Sequence, residues 1–175
     1  LSANESAQAV FICTHNSRRS HLSQLWAKVA ASYYGHEAIE TFSGGTEATA
    51  FNPRAVASMK RAGFRIDVRD DGNPGNDAAN PIYAVSGLPL RTQQSCFSKT
   101  FDAASNPQRG FIAVMTCSDA DEACPFVPGA ATRFAIPYAD PKAFDGSERE
   151  SAAYDERCCQ IAREMLYALS AARSR

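Results

Sequence analysis

The sequence lacks any apolar run approaching the roughly 20 residues that a membrane-spanning helix needs, which argues against a helical membrane protein. It also lacks a surplus of either charge. Eighteen Lys and Arg stand against 19 Asp and Glu, a net charge of -1, so no basic block points to nucleic acid and no acidic tail to disorder. Internal repeats and low-complexity stretches are missing, which excludes a solenoid or an array. The opening residues Leu1-Ser2-Ala3-Asn4-Glu5 have neither the basic region nor the apolar core of a signal peptide, and no Met begins them, which leaves the true N-terminus open. The length suits one domain, residues 1–175, with an adequate core. Six cysteines (Cys13, Cys96, Cys117, Cys124, Cys158 and Cys159) do not read as a secreted disulfide scaffold in a chain of this length. A reducing, cytoplasmic setting is expected, with some of these thiols doing chemistry.

What is present centres on Val10-Phe11-Ile12-Cys13-Thr14-His15-Asn16-Ser17-Arg18-Arg19-Ser20. An apolar run ends in a cysteine, and five mostly small or polar residues lead to Arg19 and Ser20. A helical pattern follows, with Leu22, Leu25, Trp26 and Val29 on one face. The pattern predicts strand, tight loop, helix. Such a loop aims backbone N–H groups and the positive end of a helix dipole at one spot, which suits an oxyanion. Arg19 can grip two oxygens in a fork, and the same field favours Cys13 as the attacking thiolate. Substrate-binding candidates are therefore Thr14, His15, Asn16, Ser17, Arg18, Arg19 and Ser20. The plain alternative is a buried, inert cysteine at a strand end beside solvated arginines.

Elsewhere the chain alternates. Strands are expected over 7–12, 39–43, 111–115 and 133–136. Helices are expected from Ser20 to about Tyr34, stopped by Gly35, and from Asn52-Pro53 to Arg61, ended by Gly63. Residues 70–96 interrupt the pattern. The turn-rich Asp71-Gly72-Asn73-Pro74-Gly75-Asn76 precedes two strand-like runs, 81–85 and 91–97, around a turn at 87–89, which reads as a hairpin-like insertion or a flap. A short helix is expected over 98–104 and a loop over 118–132. Ser147-Glu148-Arg149-Glu150 reads as a capping box opening a long last helix with inner residues Tyr154, Cys158, Ile161, Met165 and Leu169. The expected fold is α/β, a parallel sheet with helices on both faces. Cys13, Cys117 and Asp140 each follow an expected strand, at the sheet end where such folds bind ligands.

Cysteine, five residues, Arg19 and Ser20, between strand and helix, resembles the signature loop of the low-molecular-weight protein tyrosine phosphatases and of their relatives, the thioredoxin-coupled arsenate reductases. The resemblance implies a flavodoxin-like core of four parallel strands. It implies that Asp140, before Pro141, is the general acid for a leaving oxygen; Asp-Pro in a plain turn is the alternative. Cys117 and Cys124, separated by six residues and followed by Pro125, match the cysteine pair of the reductases. They imply a relay in which the intervening segment is helical when reduced and looped out when oxidised. Structural cysteines or a zinc site are alternatives, although the spacing and the absence of a nearby histidine fit zinc badly, and no metal is expected.

Three departures stand out. His15 occupies the usual glycine position, for which a left-handed backbone is one accommodation. Arg18 sits beside Arg19, facing solvent or raising the local positive field. Lys142-Ala143-Phe144 follows Asp140-Pro141 where the phosphatases usually have tyrosines. The resemblance implies an arsenate reductase with catalytic Cys13, Arg19, Asp140, Cys117 and Cys124. It implies a tetrahedral oxyanion partner (arsenate, phosphate or sulfate), no bound cofactor, and thioredoxin as external reductant. A phosphatase acting through a phosphocysteine and a non-catalytic oxyanion-binding module are the alternatives. Cys96 has no assigned role, Cys158 and Cys159 are expected in core or flank packing of the last helix, and His15, His21 and His36 are expected to be structural or exposed.

Overall fold

The computed structural model describes residues 6–69, 79–87 and 89–172. The turn expected over Asp71 to Asn76 and the opening residues lie outside that set, as does Leu88.

Four strands build the main sheet: β1 (Ala7–Cys13), β2 (Ile39–Gly45), β6 (Phe111–Met115) and β7 (Ala130–Ala135). They run parallel in the order β2-β1-β6-β7, the four-stranded α/β core expected from the alternation. Period-2 alternation assigns the side chains to two layers. Val10 and Ile12 pack with Phe111, Ala113 and Met115, whereas Phe11 packs with Leu22, Leu25 and Tyr154. The second layer holds α1 (Arg19–Tyr34), α2 (Pro53–Arg61) and α4 (Glu150–Ala171); the first holds the six-residue α3 (Ser118–Ala123).

Helix boundaries follow the local chemistry closely. Gly35 takes a left-handed conformation, φ 78°, and ends α1. Asn52 caps α2, its side-chain oxygen accepting from Arg54 N at 3.0 Å, with Pro53 in the first position. The inner stripe of α4 buries Tyr154, Cys158, Ile161 and Met165.

Four expectations need correction. The segment 98–104 is not a helix: Thr100 bridges Gly45, the Ser98 hydroxyl donates to His15 O, and the Asn106 side chain just beyond it donates to Ser43 O of β2. The stretch from Ser118 is not all loop, because α3 occupies its start and β7 begins three residues before the expected strand. The capping box does not form as written. Glu150 is the first residue of α4, and its carboxylate accepts from Gly146 N at 2.6 Å, an amide that competes successfully for it. The expected hairpin forms, β4 (Tyr83–Ser86) antiparallel to β5 (Gln94–Cys96), but an unforeseen strand, β3 (Arg65–Val68), extends it to a three-stranded sheet in the order β3-β4-β5. It packs Ile66, Val85 and Cys96 into the helical layer, away from Cys13. Among the described residues, no helix is long and apolar enough to cross a membrane.

Candidate active site

Cys13 is the last residue of β1 and Arg19 the first of α1, so residues 14–18 form the loop between them. The loop's carbonyl oxygens are engaged on its outer side. Cys13 O accepts from Thr46 N (3.2 Å), Thr14 O from Glu47 N (2.8 Å), Ser17 O from Asn52 N (2.9 Å) and Arg18 O from Leu22 N (3.0 Å). His15 O accepts from the hydroxyls of Ser98 (3.0 Å) and Thr49 (3.1 Å). With those carbonyls tied back, the loop's amide hydrogens are the groups left to meet an anion over the Cys13 sulfur. Gly45, at the end of β2, lies so close to Thr14 O and Asn16 N that a Cβ there would collide with the loop.

The left-handed residue is Asn16, φ 44°, and it is the only non-glycine with positive φ among the described residues. His15 needs no such conformation. Its half-exposed side chain turns to Glu47 at 3.6 Å, on the rim. Asn16 is fully buried and locks the loop from within. Its side-chain oxygen accepts from Lys99 N (2.9 Å), which directs Nδ2 to donate to Ser20 Oγ (2.8 Å). Ser20's own hydroxyl hydrogen is then available to Cys13 Sγ, 3.1 Å away.

Arg19 is buried and donates from Nη1 to Tyr138 O (3.0 Å) and from Nη2 to Asp140 Oδ2 (2.8 Å). Its Nε is buried without a protein partner among the described residues, a donor still to be used. Asp140 Oδ1 accepts from Lys142 N (3.0 Å), capping the 3-10 turn Pro141–Phe144, so both carboxylate oxygens are oriented. Arg18 does not face solvent. Its side chain is 13% exposed, and Nε donates to Tyr154 OH at 2.8 Å. Asp145 accepts from the same tyrosine (2.8 Å) and lies 3.6 Å from Arg18 Nη2. Arg18 thus fastens the loop to α4.

Cys117 follows β6, whose Met115 is in register with Ile12 of β1. Its sulfur is fully buried, 3.5 Å from Thr14 Oγ1, and belongs to the same packing cluster as Cys13. Cys117 also N-caps α3, Sγ accepting from Ala120 N at 3.4 Å. Cys124 ends α3 and is partly exposed, and all six cysteines are free. The structure therefore gathers Cys13, Thr14, Asn16, Arg19, Ser20, Asp140 and Cys117, sets His15 on the rim, and leaves Cys124 one short helix away. Sequence reasoning missed the outer clamps: Thr46, Thr49, Ser98 and the Lys99 amide. The Gly44-Gly45-Thr46 run at the end of β2 was the available signal. Cys96 and Cys158 are core residues, and burial raises both thiols, Cys96 to about 12.

A strand ending in a C-x5-R loop, a helix behind it and an Asp-Pro turn across it sit on the fold of the low-molecular-weight protein tyrosine phosphatases. A solved phosphatase of that class from T. tengcongensis superposes with a TM-score of 0.58 at 14% identity, over 95% of this chain and 99% of that one. A structure described as an arsenate reductase in the phosphate-binding state gives 0.57 at 16% identity, over 94% and 98%. No family model matches. The arsenate reductase of Bacillus subtilis (strain 168) is 30% identical over 147 residues, 84% of this chain and 83% of that protein. The chain belongs to the arsenate reductase family, and its fold is the one that the low-molecular-weight phosphatases share.

Proposed function

We propose that this protein reduces arsenate to arsenite, with Cys13, Cys117 and Cys124 as a thiol relay and thioredoxin as the external reductant. Arsenate binds the amides of Thr14 to Arg19, and Arg19 turns Nε and Nη2 to two of its oxygens as Asp140 is displaced from the guanidinium. Cys13 attacks arsenic, and Asp140 protonates the departing oxygen. Arg19 and the loop amides hold the anionic transition state. Cys117 then attacks the Cys13 sulfur. A Cys13–Cys117 disulfide forms, the sulfur–arsenic bond breaks, and its electron pair leaves with arsenite. Two thiols have supplied the two electrons. Cys124 attacks Cys117, releasing Cys13 and carrying the disulfide to the α3 segment for reduction by a dithiol.

The observation that carries this reading is a second buried thiol, Cys117, held against Thr14 of the anion loop with Cys124 closing the same helix. A phosphatase has no use for that pair. The phosphatase reading keeps one specific support: Cys13, Arg19 and Asp140 suffice for phosphoryl transfer through a phosphocysteine that water resolves. Two assays separate them, thioredoxin-dependent NADPH oxidation with arsenate and hydrolysis of an aryl phosphate. Cys124→Ser is expected to abolish multiple turnover in the first and leave the second within about twofold. Reductase turnover that survives Cys124→Ser would end the relay reading.

A further inference from the structure

The relay must bring Cys117 and Cys124 together, and α3 holds them apart. Seven helical steps span about 10 Å, whereas disulfide α-carbons lie roughly 4.4–6.8 Å apart. The helix therefore has to unwind before the bond closes. A six-residue helix does not persist by itself, so something outside it keeps it wound. Within α3 only Ala120 is buried, and the N-terminal cap is the Cys117 sulfur, the atom that the relay consumes.

At the other end Cys124 is partly buried against the sheet, and among the described residues one side chain bridges the last carbonyls. Arg133 projects from β7 and donates from Nη2 to Asp121 O (2.8 Å) and from Nε to Cys124 O (3.1 Å). The same Nη2 also bonds the Asp121 carboxylate. Terminal helix carbonyls lack intrahelical partners, and a guanidinium satisfies two at once while pairing with a carboxylate. β7 is hydrogen-bonded to β6 along its length, so the donor sits on a fixed platform.

We propose that Arg133 is a latch on α3, a positioning residue that favours the wound dithiol and so sets how readily Cys117 and Cys124 join; the inference rests on the relay proposed above. Its contacts to Asp121 and Cys124 belong to the helix and loosen when the disulfide forms. Forming that bond removes two electrons and two protons from the thiols and gives them to an acceptor disulfide. Stabilising the dithiol makes the couple easier to reduce, so weakening the latch has the opposite effect.

The test uses the full chain carrying Cys13→Ser and Cys159→Ser, equilibrated in mixtures of oxidised and reduced dithiothreitol. The Cys117–Cys124 disulfide is counted by thiol alkylation and mass analysis. Arg133→Gln is expected to shift the equilibrium about tenfold toward the disulfide, near 30 mV for a two-electron couple. Arg133→Lys keeps the charge without the fork and is expected to recover part of the shift. Asp121→Asn leaves β7 untouched and is expected to move the equilibrium about threefold in the same direction. A midpoint unmoved by both Arg133→Gln and Asp121→Asn, or moved toward the dithiol, overturns the latch and leaves the relay standing. If the parent forms no Cys117–Cys124 disulfide in any mixture, the relay fails and the latch with it.

Discussion

The Cys13 loop and the Cys117 segment begin alike. Each lies at the end of one of two neighbouring parallel strands, each starts from a cysteine at or just past that end, and each is only a few residues long. They are held quite differently. Thr46, Glu47, Thr49, Asn52, Ser98 and the Lys99 amide all bind the first, with buried Asn16 at its centre. The second has a sulfur cap, one buried alanine, the partly buried Cys124 and one arginine. The difference matches the roles proposed for the two cysteines. Donors aimed at developing charge are useful only if they do not move, whereas a sulfur that must travel needs a support that can let go.

The largest effect that this contrast predicts lies in the rigid half. Arg19→Lys keeps the charge but loses the planar fork and one of the two anchors to Tyr138 O and Asp140. The expected loss in kcat/KM is about 10²–10³-fold, in whichever of the two assays is active. Retention within tenfold would mean that the loop amides alone hold the oxyanion and that the fixed guanidinium is dispensable.

A second expectation concerns acid. His21 follows Ser20 and lies under the loop, fully buried, stacked on Phe51 at 4.1 Å with Nδ1 3.2 Å from Ser43 Oγ. Burial, and then the positive charge of Lys99, lower it to about 3, against a smaller opposing contribution from the Asn16 backbone. The folded protein therefore keeps His21 neutral where the unfolded chain takes up a proton. Between pH 6.5 and about 3 the unfolded state binds more protons, so stability is full above 6.5 and falls as pH drops, by up to roughly 1.4 kcal/mol per pH unit. Denaturant unfolding at pH 7 and pH 5 measures the slope, and His21→Gln should flatten it. Equal slopes in the two proteins would show that the floor of the cradle tolerates the charge.

The same contrast explains what was legible in the sequence. The strand, loop and first helix could be read directly, since an apolar run, a C-x5-R spacing and a helical stripe each leave a local mark. Which loop residue turns left-handed could not be read. His15 stands at the unusual position, but the choice falls on Asn16 because Lys99 N and Ser20 Oγ, distant and near in sequence, both need its amide. Arg18 was equally opaque, its partner Tyr154 lying 136 residues away. Strand β3 escaped because Ile66 is its only buried residue, between Arg65 and Asp67, too short for a period-2 signal. Helix α3 left only a weak trace, an acidic Ser118-Asp119-Ala120-Asp121-Glu122-Ala123 run whose winding depends on an arginine from another strand.

The smallest expected effect sharpens that last point from the helix side. Asp119 and Asp121 fall in the first turn of α3, where negative charge suits the dipole, but exposed Glu122 lies near its C-terminal end, where it does not. Glu122→Gln removes that repulsion without touching Arg133, Cys117 or Cys124. It should favour the wound helix by about 0.3–1 kcal/mol at low salt, and so move the disulfide equilibrium two- to fivefold toward the dithiol. The shift should shrink as salt is raised, because an exposed charge is screened within about 10 Å at 0.1 M ionic strength. A shift of the same sign and size in Cys13-loop anion affinity, read by phosphate titration, would mean that the two segments are not separately held. An effect confined to the cysteine pair is what independent support of the cradle and the relay requires.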